Sequence, residues 1–291
     1  MPIWQAVLLG VIQGVTEFLP ISSTAHLLVA RSLLGHANPE DAFTVVIQLG
    51  TLAAVFVYFR AEIARMLKGL VTDVRTRRLA STADSRLGWL IVLGTVPAVV
   101  VGFLFKKQLK ATFFNPTSIA VVAVVFALLM LAAEWWAHRR VKRGLPPREE
   151  TGITWFDAVW VGVWQACALM PGGSRSGTTI TGGLFAGLAR SAAARFSFLL
   201  SLPVILGAGL KELYDEYKNL AAPTAGEPVS LFASGDDVAA LVVGTLVSAA
   251  VGYAAIAFLL NFLKRYSTGV FVAYRLLLAA TIFGLIARGL L

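Results

Sequence analysis

The sequence predicts an all-α integral membrane protein: six transmembrane helices plus two re-entrant helical hairpins, arranged as an inverted-topology repeat in one membrane domain covering residues 1–291. Three observations carry this. Of the 291 residues, 57% are hydrophobic and only 14% charged, with a mean hydropathy of +0.76, and the apolar runs are long enough to cross a bilayer. Two apolar stretches, residues 10–30 and 162–182, each hold a proline-broken polar island. Finally, sequence features recur at an offset of about 150 residues.

The first repeat, 1–150, opens with a hairpin at 2–33. A short helix is stopped by Pro20, and a second begins after the polar turn Ser22-Ser23-Thr24. Backbone broken at membrane depth is tolerated only inside protein or beside water, which is why this segment reads as a hairpin and not a span. Apolar spans follow at 42–59, 87–105 and 116–137. The second repeat, 151–291, has its hairpin at 156–188, broken at Pro171, and spans at 195–213, 238–260 and 268–287.

Phe43–Gly50 aligns with Phe196–Pro203, and Gly94–Gly102 with Gly244–Gly252. Each half thus holds one hairpin and three crossings, and an odd number of crossings inverts the second half relative to the first.

Loop charge fits the inversion. The loops at 60–86, 138–153, 189–195 and 261–267 are rich in Arg and Lys and fall on one side, which the positive-inside rule makes cytoplasmic. His36, Glu40, Asp41 and the acidic loop at 211–237 fall on the other; Lys106, Lys107 and Lys110 depart from this trend as snorkelling residues at a helix end. Both termini are expected outside, and the first segment is expected to be retained because no signal-peptide pattern precedes it. The net charge of +9 resides mostly in these loops, so nucleic acid is not an expected partner. The single cysteine, Cys167, excludes an intramolecular disulfide and a cysteine metal cluster.

The chemistry lies in the two islands. Gln13 and Glu17 are four residues apart and share a helix face, close to Ser22, Ser23, Thr24 and His26. A carboxylate at membrane depth is costly unless paired, hydrated or metal-bound. In the second island, Gly172-Gly173-Ser174-Arg175-Ser176-Gly177-Thr178-Thr179 sets glycines, hydroxyls and a guanidinium at a helix start, where backbone N–H groups and the helix dipole favour an anion. The island lacks the lysine of a nucleotide-binding P-loop. Acid and anion together call for a divalent metal bridging Glu17 to phosphate oxygens.

At these residues the chain resembles the undecaprenyl-pyrophosphate phosphatase family associated with bacitracin resistance. The resemblance rests on Gln13, Glu17 and the Ser22-Ser23-Thr24-x-His26 run, and on Pro171 to Thr179, and it extends over essentially the whole chain. It implies hydrolysis of undecaprenyl pyrophosphate to undecaprenyl phosphate and inorganic phosphate at a site facing the periplasm of the bacterial inner membrane, recycling the carrier for cell-wall glycans. Glu17, Ser23, His26 and Arg175 are the expected catalytic residues, with Ser23 the leading nucleophile and His26 either its base or the nucleophile itself. Gln13, Ser22, Thr24, Gly172, Gly173, Ser174, Ser176, Thr178 and Thr179 are expected to bind substrate. A divalent ion, Mg or Ca, is expected to sit with the pyrophosphate on Glu17 and Gln13. Because Gln13 is the less acidic of the two residues the family uses there, a tight protein-only metal is not expected.

The same residues bear on two rival readings. A transporter or flippase for a polyprenyl phosphate or other anion would use the same inverted architecture. A phosphatase of the acid-phosphatase superfamily is set aside, because His36 and His138 lack the second His-Asp context that chemistry needs. The expected partners are the lipid substrate and the membrane; a homodimer is compatible with them.

Overall fold

A computed structural model describes residues 1–35, 42–221, 232 and 234–291. Its α-helices run α1 Ile3–Phe18, α2 Ser23–Leu33, α3 Ala42–Tyr58, α4 Arg60–Thr76, α5 Ala83–Phe113, α6 Pro116–Lys142, α7 Trp155–Cys167, α8 Arg175–Phe185, α9 Arg190–Ala221, α10 Gly235–Leu263 and α11 Gly269–Ala287. Five of these helices are long and apolar enough to cross a bilayer, and a sixth span results if the bent pair α3–α4 is counted as one. The chain is a multi-pass membrane protein.

Both broken segments form as helix, turn and helix. Leu19 is extended, as a residue before proline prefers, and ends α1. Ser22 and Ser174 then cap α2 and α8 in the same unusual way. Each has positive φ, 75° and 67°, and each Oγ accepts the N–H three residues on, from Ala25 at 3.4 Å and Gly177 at 3.2 Å. Positive φ is strained for a residue with a Cβ, so both turns are held by their surroundings.

The hairpins pack on crossed partners: α1 lies against α10 and α7 against α5. At the first crossing a Cβ on Gly10 would sit 2.6 Å from the Gly244 carbonyl oxygen, and at the second a Cβ on Gly162 would sit 2.3 Å from that of Gly94. Only glycine permits either approach. Pairs α3–α9 and α6–α11 complete the bundle. The largest apolar core includes Phe18, Phe196 and Phe198, with Phe18 and Phe198 meeting edge to face at 5.2 Å.

One end of the bundle is tied by arginines. Arg148 forks onto Asp157 at 2.7 and 2.8 Å, which raises the guanidinium pKa above its ordinary value. Arg190 grips Glu134, and Arg195 bridges Glu62 and Glu150. At the other end of α10, about 43 Å away along its axis, the Met1 amine pairs with Asp237.

Three features differ from the sequence expectation. Much of the basic loop at 60–86 is helix α4, bent 82° from α3, with Ile63 and Met66 buried and Leu67, Val71 and Val74 forming an exposed apolar stripe. Its arginines and lysine masked this amphipathic period. Helices α5 and α9 run past the expected ends at 105 and 213, because hydropathy falls there while helix-forming residues continue. Glu212, Asp215 and Glu216, expected in a loop, are therefore on α9. His36, Glu40, Asp41 and the middle of the acidic loop, including Glu227, lie outside the described residues.

Candidate active site

The two turns meet. Glu17, buried on the last turn of α1, is the hub. Its Oε2 accepts from Gln13 Nε2 at 3.0 Å and from Ser23 Oγ at 3.1 Å, while its Oε1 accepts from Arg175 Nη2 at 3.1 Å and Nε at 3.3 Å. Arg175 is the first residue of α8, and its Nη1 donates to the Ser197 carbonyl at 3.2 Å. Ser176 Oγ donates to the Leu19 carbonyl at 3.1 Å, a third bond between the hairpins.

The helix starts face this hub. In α8, Gly177 N–H is taken by Ser174 Oγ and Thr178 N–H by the Ser174 carbonyl, which leaves the amides of Arg175 and Ser176 without acceptors among the described residues. In α2, the amides of Ala25 and His26 are used in the same way, which leaves those of Ser23 and Thr24. Two positive helix ends and one guanidinium around a single carboxylate make an anion-binding centre with one acid in it.

The other expected residues divide into two groups. Ser174 and Ser176 share a hydroxyl contact at 3.3 Å. Thr178 and Thr179 both donate back to the Arg175 carbonyl, at 3.0 and 2.7 Å, and Thr179 also meets Ser197 Oγ at 2.6 Å; these threonines therefore fix the arginine turn. His26 is not bonded to Ser23. Its Nδ1 lies 2.7 Å from the Ser22 carbonyl and its Nε2 2.7 Å from Tyr274 Oη, with the two rings stacked. Because the carbonyl can only accept, Nδ1 carries a proton. Thr24 has no hydrogen-bond partner among the described residues.

Gly172 and Gly173 serve the turn, and through it a residue the sequence reading missed. Gly172 has φ +93°, and a Cβ there would meet the Ile119 carbonyl oxygen at 2.3 Å. Its carbonyl and that of Gly173 accept from Arg275 at 2.9 and 3.0 Å. Arg275, fully buried on α11, reaches Pro20 and Ala123 carbonyls as well, at 3.5 and 3.4 Å, and so clamps both hairpin breaks. Its charge inside an apolar helix was the available signal. Tyr274 and Ser197 carried none.

Gln165 stands at the position matching Gln13, and Leu169 stands where Glu17 would be. Deprived of that carboxylate, Gln165 is buried with neither amide atom bonded. Gln13 turns its Nε2 to the Glu17 carboxylate and leaves its Oε1 buried and unbonded; with the amide turned over, that oxygen and Glu17 would suit a hard divalent cation.

A family model described as "Bacitracin resistance protein BacA" matches residues 6–281. The chain belongs to this family. Among similar proteins are those named undecaprenyl-diphosphatase from Chlorobium phaeobacteroides (strain BS1), 45% identical over 291 residues, and Prosthecochloris aestuarii, 44% identical over 289 residues; each match covers 99% or more of both chains. Another of the same name, from Chloroherpeton thalassium, is 45% identical over 289 residues, covering 99% of this chain and 98% of its own. The matched residues take in both islands.

Proposed function

We propose that this chain hydrolyses undecaprenyl pyrophosphate to undecaprenyl phosphate and inorganic phosphate, a reading supported by relatives named undecaprenyl-diphosphatase. The observation that carries it is the Glu17 carboxylate held between Arg175 of one hairpin and Ser23 of the other. Ser23 Oγ attacks the terminal phosphorus and passes its proton to Glu17 Oε2, while the anhydride P–O bond breaks and undecaprenyl phosphate leaves. Water then attacks the phosphoserine; as the Ser23 Oγ–P bond breaks, the proton held on Glu17 Oε2 returns to Ser23 Oγ, inorganic phosphate leaves and Glu17 is again a carboxylate. Arg175 and the free amides of Ser23, Thr24, Arg175 and Ser176 hold the phosphoryl oxygens as charge builds on them.

We read His26 as a positioning residue and not as the base for Ser23, a reading its partners Ser22 and Tyr274 support. Glu17 and Gln13 Oε1 would hold a Mg or Ca ion, which when bound supplies positive charge to the pyrophosphate oxygens.

Around this site we place the inverted repeat. The matched glycine crossings and the matched serine caps support it, and the arginine-tied end supports a cytoplasmic side there. Hairpin α1–α2 then enters from the periplasm and α7–α8 from the cytoplasm, both termini lie outside, and the site opens to the outer leaflet. The relatives are named for hydrolysis and not for transport.

The test is phosphate release from a polyprenyl pyrophosphate by purified protein. Absence of release from the intact chain, under conditions where a control phosphatase works on the same micelles, would sink the proposal.

A further inference from the structure

We infer that the arginine-tied end of the molecule carries a second anion site, built for the phosphate headgroup of an anionic membrane phospholipid. A cavity of about 500 Å³ lies there between the end of α6, the α8–α9 turn and the end of α10. Leu184, Leu188 and Leu263 give it an apolar floor, and Arg140 and Lys264 give it a basic wall beside His138.

The charges of this wall are unspent. Arg190 also lines the cavity, but Glu134 takes its guanidinium at 2.6 to 3.1 Å. Arg140 is different. Its guanidinium lies flat on Gly187, where a Cβ would sit 2.8 Å from Cζ, and among the described residues it has no acceptor. Lys264 is exposed and likewise without a partner. Among the described residues Glu149 is the one carboxylate lining the cavity, so Arg140 and Lys264 face one anion and the balance stays positive. Arg190 and Ser191, the first residues of the long helix α9, line the same space.

The neighbourhood selects a lipid over a free ion. A second, more open cavity shares Lys264 and is lined by Phe258, Phe262 and Tyr266, with Phe258 on α10 and Tyr266 just past its end both more than half exposed. An acyl chain on this aromatic strip would bring its phosphate to Lys264 and Arg140. Arg139, stacked 3.7 Å over Trp135 on the neighbouring face of α6, marks the depth as that of the headgroups. The place is distinct from the catalytic centre, since α8 separates Arg175 from Gly187 by about 16 Å.

The test uses the full chain in phosphatidylcholine nanodiscs with Arg175→Ala as background, so that binding at the catalytic centre is suppressed. Dioctanoyl phosphatidylglycerol, dioctanoyl phosphatidylcholine and inorganic phosphate are titrated, and bound ligand is read by native mass spectrometry. Phosphatidylglycerol is expected to bind best. Adding Arg140→Ala with Lys264→Ala should weaken it about 25-fold, each cation near an anionic headgroup contributing about fivefold. In the otherwise intact chain the same pair should leave phosphate release in detergent unchanged. Lys264→Glu alone, an exposed substitution, gives the same direction should the double variant melt early. Unchanged phosphatidylglycerol binding in these variants, or equal binding of phosphatidylcholine or of inorganic phosphate, would overturn the inference.

Discussion

Arg175 Nη2 and Glu17 Oε1 lie 3.1 Å apart although 158 residues separate them in sequence, and both side chains are nearly buried. Removing either partner leaves the other as an uncompensated charge at membrane depth, and removes the group that faces the phosphoryl oxygens or the nucleophile. Glu17→Ala and Arg175→Ala should each lower phosphate release about 1,000-fold, the scale of losing a transition-state donor or base. Arg175→Lys should not recover it, because an ammonium cannot reproduce the fork onto Glu17. Phosphate release together with size-exclusion profiles checks this; a monodisperse variant that keeps a tenth of wild-type turnover contradicts the assignment.

Ser23 and His26 can be separated by their partners. Ser23→Ala removes the hydroxyl on Glu17 and should abolish turnover, whereas Tyr274→Phe removes one hydrogen bond to His26 and should cost about 1 kcal/mol, close to fivefold. Trapping of labelled phosphate on Ser23 after acid quench is the direct measurement. Labelled phosphate found on His26 instead would reverse the two roles.

Arg275 is expected to matter for stability as well as rate. Arg275→Leu leaves the Gly172 and Gly173 carbonyls buried without their donor, at about 1 to 3 kcal/mol each. Melting in detergent should fall clearly, with activity lost in parallel as the two breaks separate. A variant with wild-type melting would show that other groups satisfy those carbonyls.

The glycine crossings give a paired test. Gly162→Ala places a methyl against the Gly94 carbonyl and should destabilise by about 1 to 3 kcal/mol, and Gly10→Ala against Gly244 by a similar amount. Gly207→Ala, with open space around its Cβ, should be neutral or stabilising in helix α9. Thermal melting of the three variants distinguishes close packing from helix propensity, since propensity alone raises all three.

Metal dependence should follow Gln13. Chelation is expected to suppress phosphate release, with recovery on adding Mg or Ca, and Gln13→Ala should raise the half-activating metal concentration more than it lowers the maximal rate, because one oxygen donor is lost. An unchanged metal titration in that variant would remove Gln13 from the ligand set.

Much of this was legible because a bilayer leaves few options. Pro20 and Pro171 located both breaks to within a few residues, and the polar residues around them had no reason to be in lipid except chemistry. Helix α4 was not legible, because its basic residues looked like a solvated loop while the stripe of Leu67, Val71 and Val74 was too sparse to read as a span. Arg275 was visible as a misplaced charge, but its acceptors are carbonyls, which any residue supplies and no sequence pattern marks.

The sequence by itself determined the membrane class, the two islands and which residue types each contributes, since hydropathy, proline and charge act locally along the chain. Only the tertiary structure decided who meets whom. Ser23 rests on Glu17 and not on His26, Thr178 and Thr179 turn inward to hold the Arg175 backbone, and Tyr274 and Arg275 enter from the last helix. These are orientations of side chains between helices far apart in sequence. They depend on the crossing of packed helices, which glycine contacts such as Gly162 on Gly94 set and which no local pattern encodes.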